Sequence, residues 1–393
     1  MAVPGLDGLL AAGVRGARVF VRADLNVPMQ GGRISDDSRI RASLPTLVRL
    51  TRAGARVIVA SHLGRPKGKA EPLLSLRPVA PALARLLDSG VSFATECIGP
   101  AAESAAAELG AGQVLLLENL RFHAGEEKND PDFSAALARL ADAYVNDAFG
   151  TAHRAHASTV GMVARVSRVA AGDLLRAELE HLRVVREPER PLLVILGGAK
   201  VSTKLAVMEA LAPHADALAI GGAMTYTFLA ARGEPVGASL VERECQDDAR
   251  RVVAAAQRAG RRLLLPSDHV VVRKVEAGAE RRVVGTIPDG WIGVDVGPRT
   301  AAAYAEEARR ARTVFWNGPM GVFEIDAFAK GTEAVARGVA ACRGRSVVGG
   351  GDSLAAVNRL GVGARIGHLS TGGGASLEYV QGLVLPGVAA LER

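Results

Sequence analysis

PLLVILGGAK, residues 191–200, decides the fold class of this chain, because an apolar run leads directly into a glycine pair and an alanine-rich stretch with helical spacing follows. The same order recurs in both halves, for example in RVFVRADLNVP (18–28), ARVIVASHLGRP (55–66), RRLLLPSDHV (261–270) and SVVGGGDSLAAV (346–357). Short apolar runs that alternate with longer amphipathic segments are typical of parallel strands with crossover helices on both faces of the sheet. The sequence therefore predicts an α/β protein with two doubly wound, Rossmann-like parallel-sheet domains.

The length of 393 residues is too great for one ordinary core and suits two domains. Apolar residues in LLRAELEHLRVVR (174–186) recur at close to a helical period, which predicts a helix that joins the domains as a hinge. We therefore predict an N-terminal domain over 1–170, a C-terminal domain over 171–375, and a segment over 376–393 that packs back on the N-terminal domain. Hinge bending is expected around 165–190 and in the C-terminal segment.

The composition is that of a folded, soluble protein, with 49% hydrophobic and 23% charged residues. No apolar run approaches the ~20 residues that cross a bilayer, and MAVPGLDGLLAAGVRG at the start lacks the basic and apolar regions of a signal peptide. Cys97, Cys245 and Cys342 are far apart and odd in number, which predicts neither a disulfide framework nor a metal-binding pair. We expect a cytoplasmic protein without membrane partners.

The net charge of +7 raises the alternative of a non-enzymatic nucleic-acid binder. The basic residues are scattered, however, with no run of five or more, and an aromatic content of 4% provides few platforms for stacked bases. Only seven of the 48 basic residues are lysines, and two of the seven, Lys200 and Lys204, lie four positions apart in one glycine-rich motif. We therefore expect small polyanions as ligands, and no nucleic acid.

Polar residues at the ends of the first-half strands predict a cationic pocket, because ligands of doubly wound sheets bind at the carboxyl ends of the strands. Asp24 and Asn26 lie two apart on an extended segment and point to one side, where they would hold a substrate hydroxyl. The alternative is a turn before Pro28 that these two side chains stabilise. Basic residues at five further strand ends suit a ligand with two anionic groups, although each alone is more typical of a surface or packing residue. These residues are Arg39, His62, Arg65, Arg121 and Arg154.

Four strand–glycine–helix units in the second half predict a nucleotide site: LGGAKVSTK (196–204), IGGAMTYTF (220–228), VVGGGDSLAAV (347–357) and HLSTGGGASLE (368–378). Glycine lets backbone N–H groups approach phosphate oxygens, and a helix N-terminus adds favourable partial charge. The alternative, tight turns and close helix packing, explains one such unit better than four. Neither the P-loop motif nor G-x-G-x-x-G occurs, so the nucleotide folds that depend on them are not indicated.

Polar side chains complete this predicted site. Asp352, at the start of a predicted helix, would bind Mg²⁺ together with nucleotide phosphates, or would cap the helix. Lys200 would reach the transferring phosphoryl group, with Lys204 one helical turn further on the same face; coincidental spacing on an amphipathic helix is the alternative. Glu324 would accept hydrogen bonds from ribose hydroxyls or lie on the surface, and Ser353 would add a hydroxyl to a phosphate.

Eight motifs, in order, resemble those of the phosphoglycerate kinase family, and the resemblance extends from about residue 15 to 390: RVFVRADLNVP, SHLGRP, ENLRF, NDAFGTAHRAH, GGAKVSTK, WNGPMGVFE, GGGDS and STGGGASLE. The resemblance implies a monomeric, cytoplasmic enzyme of glycolysis that reversibly transfers a phosphoryl group between 1,3-bisphosphoglycerate and ADP, to give 3-phosphoglycerate and ATP, with Mg²⁺ as cofactor. It implies that the phosphoglycerate is bound in the N-terminal domain by Asp24, Asn26, Arg39, His62, Arg65, Arg121 and Arg154. It implies that the nucleotide is bound in the C-terminal domain by Lys200, Lys204, Gly293, Glu324, Gly350, Gly351, Asp352 and Ser353, with Asp352 at the metal. Arg39, Lys200 and Gly373 are implied as catalytic, with the backbones of Gly372 and Gly374 beside Gly373.

The chemistry of this reaction agrees with the residue types. In the ATP-consuming direction the attacking carboxylate is already ionised at pH 7, because a carboxyl pKa is about 3.5, so transfer needs positioning and charge stabilisation but no general base. The chain departs from the family at Ser353, where Thr is usual, and at Arg299, where Lys is common and where the change would tune nucleotide affinity. Another kinase class, or a nucleotide-dependent ligase on a similar scaffold, is the main alternative.

Overall fold

A six-stranded parallel sheet lies at the centre of each of the two units into which the chain folds. The computed structural model describes residues 3–392. Unit 1 extends to Leu179 and resumes at Val384, and unit 2 covers Glu180–Leu383. The predicted α/β architecture with two parallel-sheet domains is therefore confirmed.

Unit 1 alternates strands and helices. Its strands are β1 (Arg18–Ala23), β2 (Met29–Gln30), β3 (Arg33–Ile34), β4 (Arg56–Ala60), β5 (Val91–Phe93), β6 (Val114–Leu116), β7 (Ala143–Asp147) and β8 (Val169–Ala171). Its helices are α1 (Leu6–Ala11), α2 (Ser38–Arg52), α3 (Val79–Leu87), α4 (Gly99–Glu108), α5 (Ala124–Glu127), α6 (Pro131–Ala138) and the start of α7 (Asp173–Arg186). The parallel sheet has the order β5-β6-β4-β1-β7-β8, and β2 and β3 form a separate antiparallel pair.

Unit 2 repeats the alternation and adds a second sheet. Its strands are β9 (Leu192–Leu196), β10 (Ala217–Ile220), β11 (Arg262–Leu264), β12 (His269–Val272), β13 (Arg281–Val284), β14 (Ile292–Val296), β15 (Thr313–Asn317), β16 (Arg345–Gly349) and β17 (His368–Ser370). Its complete helices are α8 (Leu205–Leu211), α9 (Met224–Ala231), α10 (Gln246–Arg258), α11 (Pro298–Arg310), α12 (Lys330–Ala340), α13 (Gly351–Arg359) and α14 (Gly374–Val380). The parallel sheet has the order β11-β10-β9-β15-β16-β17, and β13-β12-β14 is antiparallel.

The central strands are mostly apolar because helices cover both faces of a parallel sheet. All five residues of β9 are buried, and so are the last five of β1; each fully buried aliphatic side chain contributes about 1.5–3 kcal/mol. Strand register brings the polar motifs to one edge in each unit. Arg22 of β1 lies beside Ala60 of β4, and Asn317 of β15 lies beside Leu196 of β9 and Gly349 of β16. The loops that carry the candidate site residues therefore begin at neighbouring strand ends.

Buried aspartates cap three helices from outside the helix. Asp147 accepts hydrogen bonds from the backbone N–H groups of Leu174 and Leu175 at the start of α7, Asp268 does the same for α11, and Asp295 for α12. Burial raises the pKa of Asp147 and of Asp295 to about 7. The capping bonds stabilise helix N-termini, where a negative partial charge is favourable.

The antiparallel sheet of unit 2 was not predicted from the sequence. The segment RRLLLPSDHV (261–270), quoted above as an example of the parallel-sheet pattern, contains the whole of β11 and the beginning of β12, which belong to different sheets. Proline lacks the N–H that a central strand needs, so Pro266 separates the two strands. Only the first part of the segment therefore belongs to the parallel sheet.

The chain returns to unit 1 after unit 2. In α15 (Pro386–Ala389), Gly387 N–H donates to the carbonyl of Ala152 at 2.8 Å, and Asn146 Nδ2 donates to the carbonyl of Gly387 at 3.2 Å. The division between the units falls at Leu179/Glu180, inside α7, where the helical pattern continues without a break. Between residues 3 and 392, no helix combines the length and the hydropathy that a membrane crossing requires.

Candidate functional site

Asp24 and Arg39 form a partly buried ion pair in unit 1. Asp24 follows β1 and is 7% exposed, and Arg39 Nη1, from the first turn of α2, donates to its Oδ2. Burial opposes ionisation of Asp24, but the charges of Arg39 and Arg22 and the hydrogen bond from Arg39 outweigh it and hold the pKa of the carboxyl below its usual value. Asp24 Oδ1 also accepts from the backbone N–H of Asn26 at 3.3 Å. A turn stabilised by the Asp24 side chain, which was the alternative interpretation, is therefore present together with the ion pair.

His62 lies at the end of β4, 4% exposed, against the guanidinium of Arg22. Arg22 Nη2 and His62 Nδ1 are 3.2 Å apart, and Arg22 itself is fully buried. Burial lowers the pKa of His62 well below its ordinary value; Asp24 opposes this, whereas Arg22, Arg121 and Arg39 reinforce it. The imidazole is therefore neutral at physiological pH.

The turn of the SHLGRP motif is held by two of the predicted residues. Asn26 Oδ1 accepts from Gly64 N–H at 2.9 Å, and Arg121 Nη1 donates to the carbonyl of Gly64 at 2.9 Å. Burial lowers the pKa of Arg121, and the charge of Glu127, whose Oε1 is 3.3 Å from Arg121 Nε, opposes the shift. These contacts fix the loop from which the next residue, Arg65, extends.

Arg65 and Arg154 are exposed, unlike the other predicted basic residues of unit 1. Arg154 Nε lies 3.1 Å from His153 Nε2, and its charge contributes to the lowered pKa of Arg121. The fold thus brings Asp24, Arg39, His62, Arg121 and Arg154 within electrostatic reach of one another. In the part of the chain that the structure describes, Arg65 makes no hydrogen bond or ion pair with any of them.

A cavity of about 220 Å³ in unit 2 collects three of the predicted nucleotide-site residues, Gly293, Glu324 and Asp352. The other residues that line it are Gly198, Ala199, Gly222, Ala223, Tyr226, Val294, Pro319, Gly321 and Val322. A side chain at Gly293 would overlap the ring of Tyr226, so glycine is required there to leave the Tyr226 ring in place. Glu324 and Asp352 are both exposed and add carboxylates to an otherwise glycine-rich and apolar wall.

Lys200 and Lys204 are placed differently from the prediction. Helix α8 begins only at Leu205, so the two lysines do not lie one turn apart on the face of a helix, and that prediction was wrong. Thr203 Oγ1 donates to the carbonyl of Lys200 at 2.9 Å, and Lys204 N–H donates to the carbonyl of Val201. These local bonds compete with the helical backbone bonds, so α8 begins later in the chain than predicted. Lys200 is exposed, whereas Lys204 is half-buried.

The ammonium group of Lys204 contacts Asn317, the last residue of β15. Its Nζ donates to the carbonyl of Asn317 at 2.9 Å and to Asn317 Oδ1. Burial lowers the pKa of Lys204 to about 8, although the charge of Asp352 acts in the opposite direction. The ammonium group is therefore held at the carboxyl end of β15, within electrostatic range of the Asp352 carboxylate.

The GGGDS motif turns from β16 into α13. Gly350 is the N-cap, with φ +89°, a conformation that side-chain-bearing residues rarely adopt. Asp352 lies in the first turn and is not the N-cap, so the alternative capping role was wrong. Ser353 is fully buried, and its Oγ accepts from Gly318 N–H at 2.6 Å, which ties this turn to the neighbouring strand end. Gly351 is exposed, with no heavy atom near the position of a Cβ.

The last glycine-rich turn leads from β17 into α14. Gly373 is the N-cap, with φ +56°, and both Gly373 and Gly374 are exposed, whereas Gly372 is buried. Gly372 N–H donates to Ser370 Oγ at 3.3 Å. The exposed backbone of Gly373 and Gly374 is therefore the part of this turn that a ligand can approach.

Sequence reasoning assigned no role to Arg22, Asn317 and Tyr226. Arg22 and Asn317 stand at the ends of otherwise apolar strands, and a polar residue within a buried strand is the signal that could have drawn attention to them. Tyr226 lies within a mostly apolar helix, and no sequence signal separates it from an ordinary core residue.

Known proteins resemble this chain over nearly its whole length. The family model of phosphoglycerate kinase matches residues 9–383. The phosphoglycerate kinase of Moorella thermoacetica is 56% identical over 377 residues, which cover 95% of this chain and 96% of that protein. The structure of phosphoglycerate kinase from Coxiella burnetii superposes with a TM-score of 0.90 at 39% identity, covering 100% of this chain and 99% of that one. The structure of the Pyrococcus horikoshii enzyme superposes with a TM-score of 0.85 at 33% identity, covering 99% of this chain and 98% of that one.

The chain belongs to the phosphoglycerate kinase family. It is a phosphotransferase with a carboxyl group as acceptor, and it transfers a phosphoryl group between 1,3-bisphosphoglycerate and ADP in glycolysis, with ATP and ADP as co-substrates. This membership decides against the alternative of another kinase class or a ligase. Among the described residues no group of three or more His, Cys, Asp or Glu side chains is arranged to hold a metal ion.

Proposed function

We propose that unit 2 binds ATP or ADP in the cavity bordered by Gly293, Glu324 and Asp352. The observation that carries the proposal is the joint presence of these residues in one glycine-rich pocket. Carboxylates accept hydrogen bonds from ribose hydroxyls, and glycine backbones allow phosphates to approach N–H groups. Lys204, Gly350, Gly351 and Ser353 would support the phosphates from the adjoining turns. The Ser353 hydroxyl oxygen accepts a bond from Gly318 N–H, which leaves its O–H to donate to a phosphate.

In unit 1 we propose the site for 3-phosphoglycerate and 1,3-bisphosphoglycerate. Guanidinium groups bind carboxylate and phosphate oxygens in a bidentate manner, and the exposed Arg65 and Arg154 and the partly exposed Arg39 have groups that solvent reaches. Asp24, ionised beside Arg39, would accept from the substrate hydroxyl, and Asn26, His62 and Arg121 would complete the set. The support is the electrostatic cluster that links these side chains.

Mg²⁺ is the proposed metal, with Asp352 as its protein ligand. The fit is chemical: Asp352 is an exposed carboxylate at the border of the cavity, and Mg²⁺ in phosphoryl-transfer sites needs only one or two carboxylates in addition to phosphate oxygens and waters. When bound, Mg²⁺ would neutralise charge on the phosphates of the nucleotide. Asp352 would orient that complex from the first turn of α13.

For the transfer step we propose that Lys200 and Arg39 stabilise the charge that spreads over the transferring phosphoryl oxygens. Both are cations whose side chains solvent reaches. The backbone N–H groups around Gly373, flanked by Gly372 and Gly374, would add donors to the same group. The acceptor carboxylate is already ionised at neutral pH. These residues therefore position the substrates and neutralise the charge of the phosphoryl group, and none of them has to move a proton.

Because the two ligands must come into line for transfer, we further propose a hinge-bending movement that accompanies turnover, with a monomeric enzyme in the cytoplasm. Small-angle scattering tests the movement: the radius of gyration should fall when both substrates are bound, and an unchanged value would contradict it. Light scattering coupled to size exclusion tests the monomer.

The proposed function is tested by a Mg²⁺-dependent assay of the purified protein. ADP formation from ATP should require 3-phosphoglycerate and should increase when the acyl phosphate is trapped. Turnover that persists without 3-phosphoglycerate, or without Mg²⁺ after chelation, would contradict the assignment of these ligands. Equilibrium binding of ATP to Asp352→Asn then tests the metal ligand, with Asp289→Asn, an exposed acid of unit 2, as the control.

A further inference from the structure

Arg22 is an arginine inside a strand of the unit 1 sheet, with no exposed surface. Its guanidinium donates to the carbonyl of Ala23 from Nη1 at 2.5 Å, to Ser158 Oγ from Nε at 2.9 Å, and towards His62 Nδ1 from Nη2 at 3.2 Å. A buried guanidinium is strongly destabilising unless its donors are satisfied. The three contacts therefore fix its orientation, and one of them is to a residue of the proposed substrate site.

Ser158 links Arg22 to a second buried charge. Glu126, also without exposed surface, accepts from Ser158 Oγ at 2.6 Å and from Ser158 N–H at 3.0 Å. Because the Ser158 hydroxyl proton goes to the Glu126 carboxylate, its oxygen is left to accept from Arg22 Nε. Burial works against ionisation of Glu126, but His156, Arg22 and Ser158 outweigh it and hold its pKa below the ordinary value. The order Glu126–Ser158–Arg22–His62 is thus one continuous chain of polar contacts.

The direction of this chain determines the tautomer of His62. A guanidinium has five N–H donors and no acceptor, so His62 Nδ1 can only accept the bond from Arg22 Nη2 and must be unprotonated. A neutral imidazole with an unprotonated Nδ1 has its proton on Nε2. The charged groups that act on His62 are Asp24, Arg22, Arg121 and Arg39, and burial keeps the ring from taking a second proton.

We propose that Ser158 and Glu126 are positioning residues of the phosphoglycerate site: they hold Arg22 so that His62 is kept as the Nε2–H tautomer, with one N–H to donate to an oxygen of the substrate. The proposal rests on the proposed function, in which His62 binds the phosphoglycerate. A ligand made of carboxylate, hydroxyl and phosphate oxygens is rich in acceptors, and the other tautomer would present a lone pair to it.

The first measurement is the tautomer itself, in the full-length protein labelled with ¹⁵N at histidine. Long-range ¹H–¹⁵N correlation spectra distinguish protonated from unprotonated ring nitrogens, and the signals lost in His62→Gln assign the ring. Wild-type His62 should show a protonated Nε2 and an unprotonated Nδ1 at neutral pH, without any ligand. A proton on Nδ1, or on both nitrogens, overturns the proposal whatever the variants do.

The second measurement uses Ser158→Ala, which removes the link between Glu126 and Arg22. We expect the His62 signals to move towards a mixture of tautomers and the KM for 3-phosphoglycerate to rise about threefold to tenfold, the size of one lost hydrogen bond, with the KM for ATP unchanged. Ser134→Ala is the matched control, because Ser134 is equally buried in unit 1 but its hydroxyl has no hydrogen-bond partner among the described residues. It should leave both the signals and the KM unchanged.

A rise in KM without any change in the His62 signals of Ser158→Ala would overturn the positioning role, because it would show a merely structural effect. Should Ser158→Ala fold poorly, Glu126→Gln keeps the size and an acceptor oxygen, and it should produce a smaller shift of the same signals; no shift there overturns the proposal as well. An unchanged KM in His62→Gln would instead contradict the proposed function of His62, while the tautomer result would stand. The positioning role of Ser158 and Glu126 and the substrate-binding role of His62 can therefore be refuted independently.

Discussion

The candidate site of unit 1 is formed mainly by side chains, whereas that of unit 2 is formed mainly by backbone. In unit 1 several of these side chains are buried and already paired: Asp24, His62 and Arg121 are 7%, 4% and 4% exposed. In unit 2 the backbone is largely that of glycine, and the charged side chains at the cavity, Glu324 and Asp352, are exposed. A site of buried, mutually bonded side chains is organised before the ligand arrives.

The two sites should therefore tolerate different substitutions. In unit 1, contacts such as those of Asp24 and Arg121 depend on several partners, so one change disturbs its neighbours and effects should not be additive. In unit 2, a side chain placed where glycine is required disturbs the backbone, whereas an exposed side chain such as that of Lys200 can be removed with little effect on folding.

The largest effect is expected for Lys200→Ala. Removal of one cation aimed at a developing charge lowers turnover by about a hundredfold or more, and stability should be unchanged because the side chain is exposed. Turnover and urea denaturation are the measurements. Lys274→Ala is the control, because Lys274 is an exposed lysine of the same unit that pairs with Glu276; equal losses in both variants would contradict the role of Lys200.

The loss of activity in Arg39→Ala should be smaller than that in Lys200→Ala, but still large. It removes a charge-assisted bond to Asp24 and a proposed substrate contact, which together lower kcat/KM for 3-phosphoglycerate about tenfold to a hundredfold. Unlike Lys200→Ala, it should also lower the free energy of unfolding, because Asp24 is left buried without its partner. Arg41→Ala is the control, because Arg41 lies on the same helix and pairs with Asp37. A fall in kcat/KM of the same size in Arg41→Ala would contradict the proposed role of Arg39.

Gly350→Ala and Gly351→Ala test the backbone character of the unit 2 site. Gly350 has φ +89°, and a Cβ there would also lie 3.0 Å from the side chain of Asn317, so alanine should lower the free energy of unfolding by about 1–3 kcal/mol. Gly351 is at the first position of α13 with open space around it, so alanine should leave stability unchanged or slightly raised. If phosphates approach this turn, Gly351→Ala still raises the KM for ATP, and an unchanged KM would contradict that approach.

The smallest effect concerns the pH dependence that Lys204 contributes. Its pKa is about 8 in the folded state and 10.5 ordinarily, so between these values the folded state binds fewer protons than the unfolded state. The free energy of unfolding should therefore rise with pH from about 8 upwards in wild type relative to Lys204→Met. ATP binding should weaken over the same range, by less than tenfold per pH unit, because the ammonium charge is lost.

Calorimetric titration of ATP between pH 7 and 9.5 measures the Lys204 effect on binding. In Lys204→Arg the positive charge persists over the whole range, so the pH dependence should disappear. A profile in Lys204→Arg that is identical to that of wild type would assign the titration to another group.

The alternation of apolar runs with amphipathic segments predicted both parallel sheets, and the ordered motifs predicted the family, because both are properties of residues close together in the chain. The antiparallel sheet around β12 was not predicted, because its strands are short and their apolar pattern resembles that of the parallel strands. The helix after Lys200 was placed too early because the bond from Thr203 to the carbonyl of Lys200 has no signature in the periodicity. Local side-chain bonds of this kind compete with a helix without altering its apolar pattern.

By itself, the sequence determined the fold class, the order of the motifs and the residue types at the strand ends, since these follow from local spacing and composition. Only the tertiary structure decided which of those residues are buried and what they bond. Arg22 meets Ser158 across 136 positions of sequence, and Lys204 meets Asn317 across 113. Burial and pairing depend on atoms that are distant in the chain and adjacent in space, and so do the tautomer of His62 and the lowered pKa of Lys204.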